Sequence, residues 1–336
     1  MRNWRRILPL LGFFLLLLGS ACTRRTPVPL AAGETDTPAA SPVPAWTATP
    51  TASPLPPSPT PVPTPTETPT PLPWQADHTR FAIIGDYGDG GDGEGRVAAL
   101  VDSWNVDFIV TTGDNNYKTG SAETIDAHIG QFYHAYISPY NGAYGPGAAY
   151  NRFFPVPGNH DWGFGDLQPY LDYFTLPGNE RYYDLIWGPV HFFMLDSDWN
   201  EPDGIWADSV QAAWLKERLA ASTAAWKIVI LHHPPYSSAS HGNNETLQWP
   251  FAAWGADAVI GGHDHTYERI QRDGIVYFVN GIGGTWRYDF KPPVEGSQVR
   301  YNADYGVMLV EADAGQITFQ FINTAGEVID TFDLRR

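Results

Sequence analysis

The sequence is poor in several things, and each shortage narrows what the protein can be. It has one cysteine in 336 residues, Cys22. No disulfide can staple the chain beyond it, and thiolate metal sites are excluded there. Basic side chains are scarce: 20 Lys and Arg stand against 37 Asp and Glu, for a net charge of −17. The first 73 residues hold five Arg against Glu34, Asp36 and Glu67, so the remainder alone carries −19. That deficit excludes nucleic acid as the main partner, because a phosphate backbone is met by Lys- and Arg-rich surfaces. The apolar stretch LPLLGFFLLLLGSA (8–21) is short of the ~20 residues a membrane-spanning helix needs. Three motifs are missing too: GxxxxGK[ST], GxSxG and HExxH. Their absence removes P-loop, nucleophile-elbow and helical-zincin chemistry, and leaves the glycines of GDGGDGEG (88–95) as a loop. Asp86, Asp89 and Asp92 are three apart, unlike the alternate spacing of an EF-hand loop.

What is present divides the chain into three parts. Residues 1–22 carry Arg2, Arg5 and Arg6, a short apolar stretch and small residues before Cys22, the marks of an export signal. LGSA followed by Cys resembles a bacterial lipobox, with Gly19 where Leu is usual. A lipid anchor at Cys22 is therefore expected, with a plain secretory signal as the alternative, and the protein is placed at the cell surface or outside it. Residues 23–73 are almost entirely Thr, Pro, Ala and Ser. They offer too little apolar surface to offset ordering entropy and read as an extended, disordered spacer. Residues 74–336 are long enough for one α/β domain with a large core.

Within that domain apolar runs alternate with helical patterns. FAIIGD (81–86), a helix over 94–105 and VDFIVTTGD (106–114) give a strand–helix–strand order that predicts parallel pairing. A helix is expected over 121–136, then FFPVPGNHD (153–161), HFFMLDSD (191–198) and a helix over 211–220. WKIVILHH (226–233) and ADAVIGGHDH (257–265) follow. The last three runs, 305–313, 316–323 and 327–334, read as antiparallel strands. The fold class is α/β: a mixed sheet or two packed sheets flanked by helices, with polar clusters beyond the carboxyl ends of strands.

Those polar clusters are Asp86 in GDYG, Asp114 and Tyr117 in GDNNY, Asn159 and His160 in GNHD, His232 in VILH, and His263 and His265 in GHDH. Singly, each has a bland explanation as a turn, a helix cap or a hydrogen-bonded core histidine. GNHD after FFPVP is harder to dismiss, because four polar residues there would be costly in a packed interior. His263 and His265 would share a face if the chain is extended between them. Two bridgeable carboxylates, one amide and three imidazoles suit two divalent or trivalent ions a few Å apart.

In this order the blocks resemble the calcineurin-like metallophosphoesterases, and within them the purple acid phosphatases. Tyr117 is the discriminating residue: other relatives usually carry D-x-H in the first block, where this chain has Gly88. HTYER (265–269), the LDS run (195–197), QAAWL (211–215) and the spacing from His232 to His241 extend the likeness. The resemblance implies that family's sandwich of two mixed β-sheets flanked by helices. It implies Asp86, Tyr117 and His265 as ligands of a ferric ion, and Asn159, His232 and His263 around a divalent one (iron, zinc or manganese). Asp114 would bridge them. His160 and His241 would bind phosphate or protonate the leaving group, with Asp161 and Asp264 behind the ligands. The activity implied is hydrolysis of small phosphate monoesters at acid to neutral pH, by hydroxide that the cations hold and acidify. Three rival readings stay open: a phosphodiesterase or nucleotidase on the same scaffold, a surface-tethered binding protein with a structural metal site, and a phosphoprotein- or sugar-phosphate-specific receptor with aromatic walls such as Trp162, Trp199 and Trp286.

Overall fold

In a computed structural model of the protein, which describes residues 73–336, the apolar runs are strands. The signal of residues 1–22, Cys22 and the spacer up to residue 72 lie outside the described residues. The strands are β1 (Thr79–Ile84), β2 (Phe108–Thr111), β3 (Phe153–Phe154), β4 (Tyr183–Trp187), β5 (Val190–Met194), β6 (Trp226–Ile230), β7 (Ala258–Gly261), β8 (Tyr267–Arg272), β9 (Ile275–Asn280), β10 (Ser297–Tyr301), β11 (Gly306–Ala312), β12 (Gln316–Asn323) and β13 (Val328–Arg335). One mixed sheet has the order β13-β12-β11-β1-β2-β3, and the other β10-β8-β9-β7-β6-β5-β4.

The expected parallel pairing holds for β1 with β2 and β2 with β3, and again for β5, β6 and β7. These are the near-continuous apolar strands, as strands covered on both faces must be. Alternation decides what covers each face. In the second sheet Phe192, Ile228, Ile260 and Phe278 turn inward to meet the first sheet, where Phe81 stacks on Phe108 at 4.8 Å and meets Phe192 edge-on at 5.1 Å. Phe193, Val229, Val259 and Tyr277 turn the other way, into a cluster with Ala212, Leu215 and Leu219. Those three share one stripe of the helix Val210–Ala221, whose N-terminus is capped by Ser209 Oγ accepting from the Ala212 N–H at 3.1 Å. Truncating a residue such as Leu215 to Ala would cost about 2–5 kcal/mol. The terminal strands β11, β12 and β13 are antiparallel, as their alternating pattern predicts.

The segment 121–136 departs from the single helix expected. A π-helical turn at Asp126–Gly130 passes into short turns at Gln131–Tyr133 and His134–Tyr136. The cause is side-chain insertion. Asp126 accepts from Tyr140 Oη (2.7 Å), Tyr173 Oη (2.9 Å) and the Ala143 N–H (2.8 Å), and Gly130 has no Cβ to keep these groups off the backbone.

Candidate metal centre

The parallel strands β1, β2, β3, β6 and β7 each end one turn before a polar cluster. Local backbone aims the side chains. Asp86, Asp114 and His263 have positive φ, at 54°, 52° and 65°. Such conformations cost non-glycine residues ~1–3 kcal/mol and persist only where surrounding structure imposes them. Two of the preceding glycines are required by close approach. A Cβ on Gly158 would run into Asp114 Oδ1, and one on Gly262 into Asp86 Oδ2.

The side chains converge as two groups joined by one carboxylate. In the first, Tyr117 Oη lies 3.4 Å from Asp86 Oδ1, 3.2 Å from His265 Nε2 and 2.9 Å from Asp114 Oδ2, and His265 Nε2 is 3.4 Å from Asp86 Oδ1. In the second, His232 Nε2 lies 3.1 Å from Asn159 Oδ1, 3.2 Å from His263 Nδ1 and 3.4 Å from Asp114 Oδ1. Atoms bound to one ion at ~2.0–2.2 Å stand about 3.0–3.5 Å apart, so the spacing within each group fits a coordination sphere. Asp114 gives one oxygen to each group.

Second partners prepare the donors. His232 Nδ1–H donates to the Thr112 carbonyl at 2.8 Å, and His265 Nδ1–H to the Trp286 carbonyl at 2.5 Å. Both bonds put the proton on Nδ1 and leave the Nε2 lone pair toward the centre. Asp86 accepts the His263 backbone N–H on both oxygens (3.0 and 2.9 Å), tying the GHDH loop to β1. Asp161, buried, accepts from the Asn115 and Gly158 N–H groups, which ties GDNNY to GNHD. Asp264 accepts the His241 N–H at 2.8 Å and Ser237 Oγ–H at 2.5 Å, anchoring the loop that carries His241.

Charge in the centre calls for cations. Burial raises the Asp86 carboxyl above the usual carboxylate range, only partly offset by His265 and His232. Burial also works against Asp114 ionising, but His232 and His160 win and hold its carboxyl well below that range. The same pairing, against the cost of burial, pushes His232 up to about 10. Burial, then Asp114 and Asp86, push the Tyr117 phenol well above its ordinary value. A Tyr117 phenolate therefore needs a strong cation beside it, and an ion binding at His232 displaces a proton.

The structure brings all seven expected ligand residues, Asp86, Asp114, Tyr117, Asn159, His232, His263 and His265, to this centre. It corrects one detail: GHDH is not extended, since His263 is left-handed; its two imidazoles fall in different groups, as the resemblance implies. His160 stands at the edge, Nδ1–H donating to the Lys118 carbonyl at 2.6 Å and Nε2 3.9 Å from Asp114 Oδ2. His241 is exposed, its ring centroid 4.0 Å from that of His263. His233, without a role from the sequence, has its Nδ1 2.9 Å from Ser197 Oγ and its ring 4.3 Å from His263. The carbonyls of Thr112, Lys118 and Trp286 went unforeseen, because backbone acceptors leave no mark in residue type.

Comparison with known proteins bears on the same residues. The calcineurin-like phosphoesterase family model matches residues 79–267, more than half of the chain, and a model for iron/zinc purple acid phosphatase-like protein C matches 274–331. Purple acid phosphatase 17 of Arabidopsis thaliana is 26% identical over 291 residues, covering 74% of this chain and 82% of its own. Tartrate-resistant acid phosphatase type 5 of Rattus norvegicus is 24% identical, covering 78% of this chain and 91% of its own. A purple acid phosphatase from yellow lupin seeds has the same fold, with a TM-score of 0.63, 21% identity and 79% of this chain covered. This chain spans 55% of the lupin protein's length.

Proposed function

The chain belongs to the calcineurin-like phosphoesterase family and is a metal-dependent phosphoric ester hydrolase, and from that premise we propose that it is an exported phosphomonoesterase working at acid to neutral pH, with Asp86, Tyr117 and His265 around a ferric ion and Asn159, His232 and His263 around a divalent one. The observation that carries this reading is the division of Asp114, one oxygen 2.9 Å from Tyr117 Oη and the other 3.4 Å from His232 Nε2. A carboxylate so placed would serve two cations at once.

When bound, the ion pair supplies positive charge against the ester oxygens and an acidified water as nucleophile. The chain's own residues do the rest. Tyr117 and Asp86 put negative charge on one side only, which favours the more highly charged ion there. His160, its Nδ1–H committed to Lys118, turns Nε2 toward the open side of the centre, where it binds a phosphoryl oxygen or gives the leaving oxygen a proton. His241, exposed and held by Asp264, reaches the same space from the second group. Export and lipidation at Cys22 belong to this proposal on the strength of residues 1–22 alone.

Purified protein should contain two metal ions per chain, show a visible charge-transfer band, and hydrolyse p-nitrophenyl phosphate faster than bis(p-nitrophenyl) phosphate. Preference for the diester would favour the phosphodiesterase reading. Two ions without hydrolysis would favour a binding protein. Incorporation of labelled fatty acid that stops in Cys22→Ser checks the anchor.

A further inference from the structure

Two exposed indoles, Trp199 and Trp206, follow the end of β5, whose extension is bonded beside the second ligand group. β5 runs into Leu195–Ser197, and Ser197 Oγ accepts the His233 backbone N–H at 2.9 Å while also bonding His233 Nδ1. The His233 ring is 4.3 Å from that of His263. Two residues beyond Ser197, and so within ~7 Å of it along the chain, is Trp199. Trp199 is 67% exposed and meets Trp206, 50% exposed, edge-on at 5.9 Å. From the GNHD side comes Phe164, 96% exposed, on a segment whose Gly165 abuts Asn200.

This exposure does not come from slack chain. The buried Glu201 carboxylate takes Arg181 at 2.9 and 3.3 Å, and Asp203 takes Arg181 at 3.1 Å and Tyr182 Oη–H at 2.9 Å. Gln211 Nε2–H donates to the Gly204 carbonyl, and Trp249 Nε1–H to that of Ile205. Scattered single apolar residues on a surface need no explanation. Two indoles in contact, held in water by a braced loop beside a reaction centre, are a different matter.

Charge then selects the occupant. Residues 197–210 contain Asp198, Glu201, Asp203 and Asp208 and no Lys or Arg; Arg181 answers Glu201 and Asp203, and Asp208 is exposed two residues from Trp206. On the Tyr117 side Lys118 and Arg287 are exposed, together with Trp286 and Asp289. An anionic organic group such as a nucleoside polyphosphate is therefore disfavoured at the indoles. An ammonium gains from the exposed Asp208 carboxylate and from the ring faces together. The geometry points to Trp199 and Trp206 as a subsite for the cationic end, a primary or quaternary ammonium, of a small phosphate monoester whose phosphoryl group lies at the metal centre. This inference rests on the phosphatase reading above.

The test compares kcat/KM of the full-length, metal-loaded protein for phosphocholine, for its neutral isostere 3,3-dimethylbutyl phosphate, and for p-nitrophenyl phosphate. Phosphocholine should be preferred over the isostere by about two- to fivefold, the size of an exposed cation–π contact. Trp199→Ala should bring that ratio close to unity with metal content unchanged, and Trp199→Phe should keep part of it. Equal kcat/KM for charged and neutral esters overturns the subsite, as does a Trp199→Ala loss shared equally by all three. Hydrolysis of p-nitrophenyl phosphate without charge preference overturns the subsite alone. Hydrolysis of none overturns the phosphatase reading and the subsite with it.

Discussion

The two halves of the metal centre are built from different materials. Asp86, Tyr117 and His265 are almost wholly buried, and two of the three are anionic donors when bound. Asn159, His232 and His263 are neutral donors, and Asn159 and His263 are partly exposed. The first half concentrates negative charge in a dry place, which suits a highly charged ion held permanently. The second has no carboxylate of its own and shares Asp114, which suits a less charged ion in exchange with solvent. Ions in such unequal halves would play unequal parts, one holding charge and the other meeting the substrate.

The strongest way to break this comparison is to remove the residue the halves share. Asp114→Ala should lower kcat/KM on the order of 10³-fold and take bound metal from two ions per chain to nearly none. Elemental analysis of the purified variant checks this. Retention of both ions would mean that the halves are independent sites. Ala tolerates the left-handed backbone at 114 less well than Asp does, so the variant's circular dichroism is compared with wild type to separate lost metal from lost fold.

Next in size are single-half variants. Asn159→Ala removes a neutral donor from the open half, and its affinity for the divalent ion should fall about 10- to 100-fold while the first ion stays. Added divalent metal should restore activity, and titration of metal against turnover reads the shift. Tyr117→Phe should leave both ions in place when metal is in excess but abolish the visible band, with activity lowered about tenfold. An unchanged band in Tyr117→Phe would place the coloured ion elsewhere. Dilute chelator extends the comparison without mutation: the half containing Asn159 should lose its ion first.

Much of this inequality was legible in the sequence, for a physical reason. Ligands at the ends of buried parallel strands must follow an apolar run and a tight turn, so Gly85–Asp86, Gly113–Asp114, Gly158–Asn159 and Gly262–His263 stand out as pairs. Tyr117 stood out because Gly88 occupies the place of an alternative ligand. What held the donors was hidden. His265 is oriented by a carbonyl 21 residues away at Trp286, and His232 by one 120 residues away at Thr112. Only the fold brings those pairs together. The fold itself was readable where apolar runs were continuous, and least so at 121–136, where Asp126 is drawn off by Tyr140 and Tyr173 from beyond the segment.

The smallest expected effect sharpens the comparison from outside the centre. Asp184, on β4, accepts from His191 Nε2 at 2.7 Å and from Arg218 at 2.6 Å, a carboxylate with its own hydrogen-bond partners and no share in the ligand groups. Burial pushes its carboxyl up, but the bonds from His191 and Arg218 prevail and hold it below the usual range. A depressed carboxylate contributes stability that is present above the unfolded value of about 3.9 and lost as pH falls through the folded one. Asp184→Asn should therefore lower stability by about 1 kcal/mol at pH 7, after allowance for solvent screening, and by less as pH drops below about 4. Denaturant unfolding of both proteins across that range, with metal saturating, reads the difference. Metal content and kcat should not move. If they do, charge at the sheet edge reaches the centre, and the division into a self-contained buried half and an open half needs a third contributor.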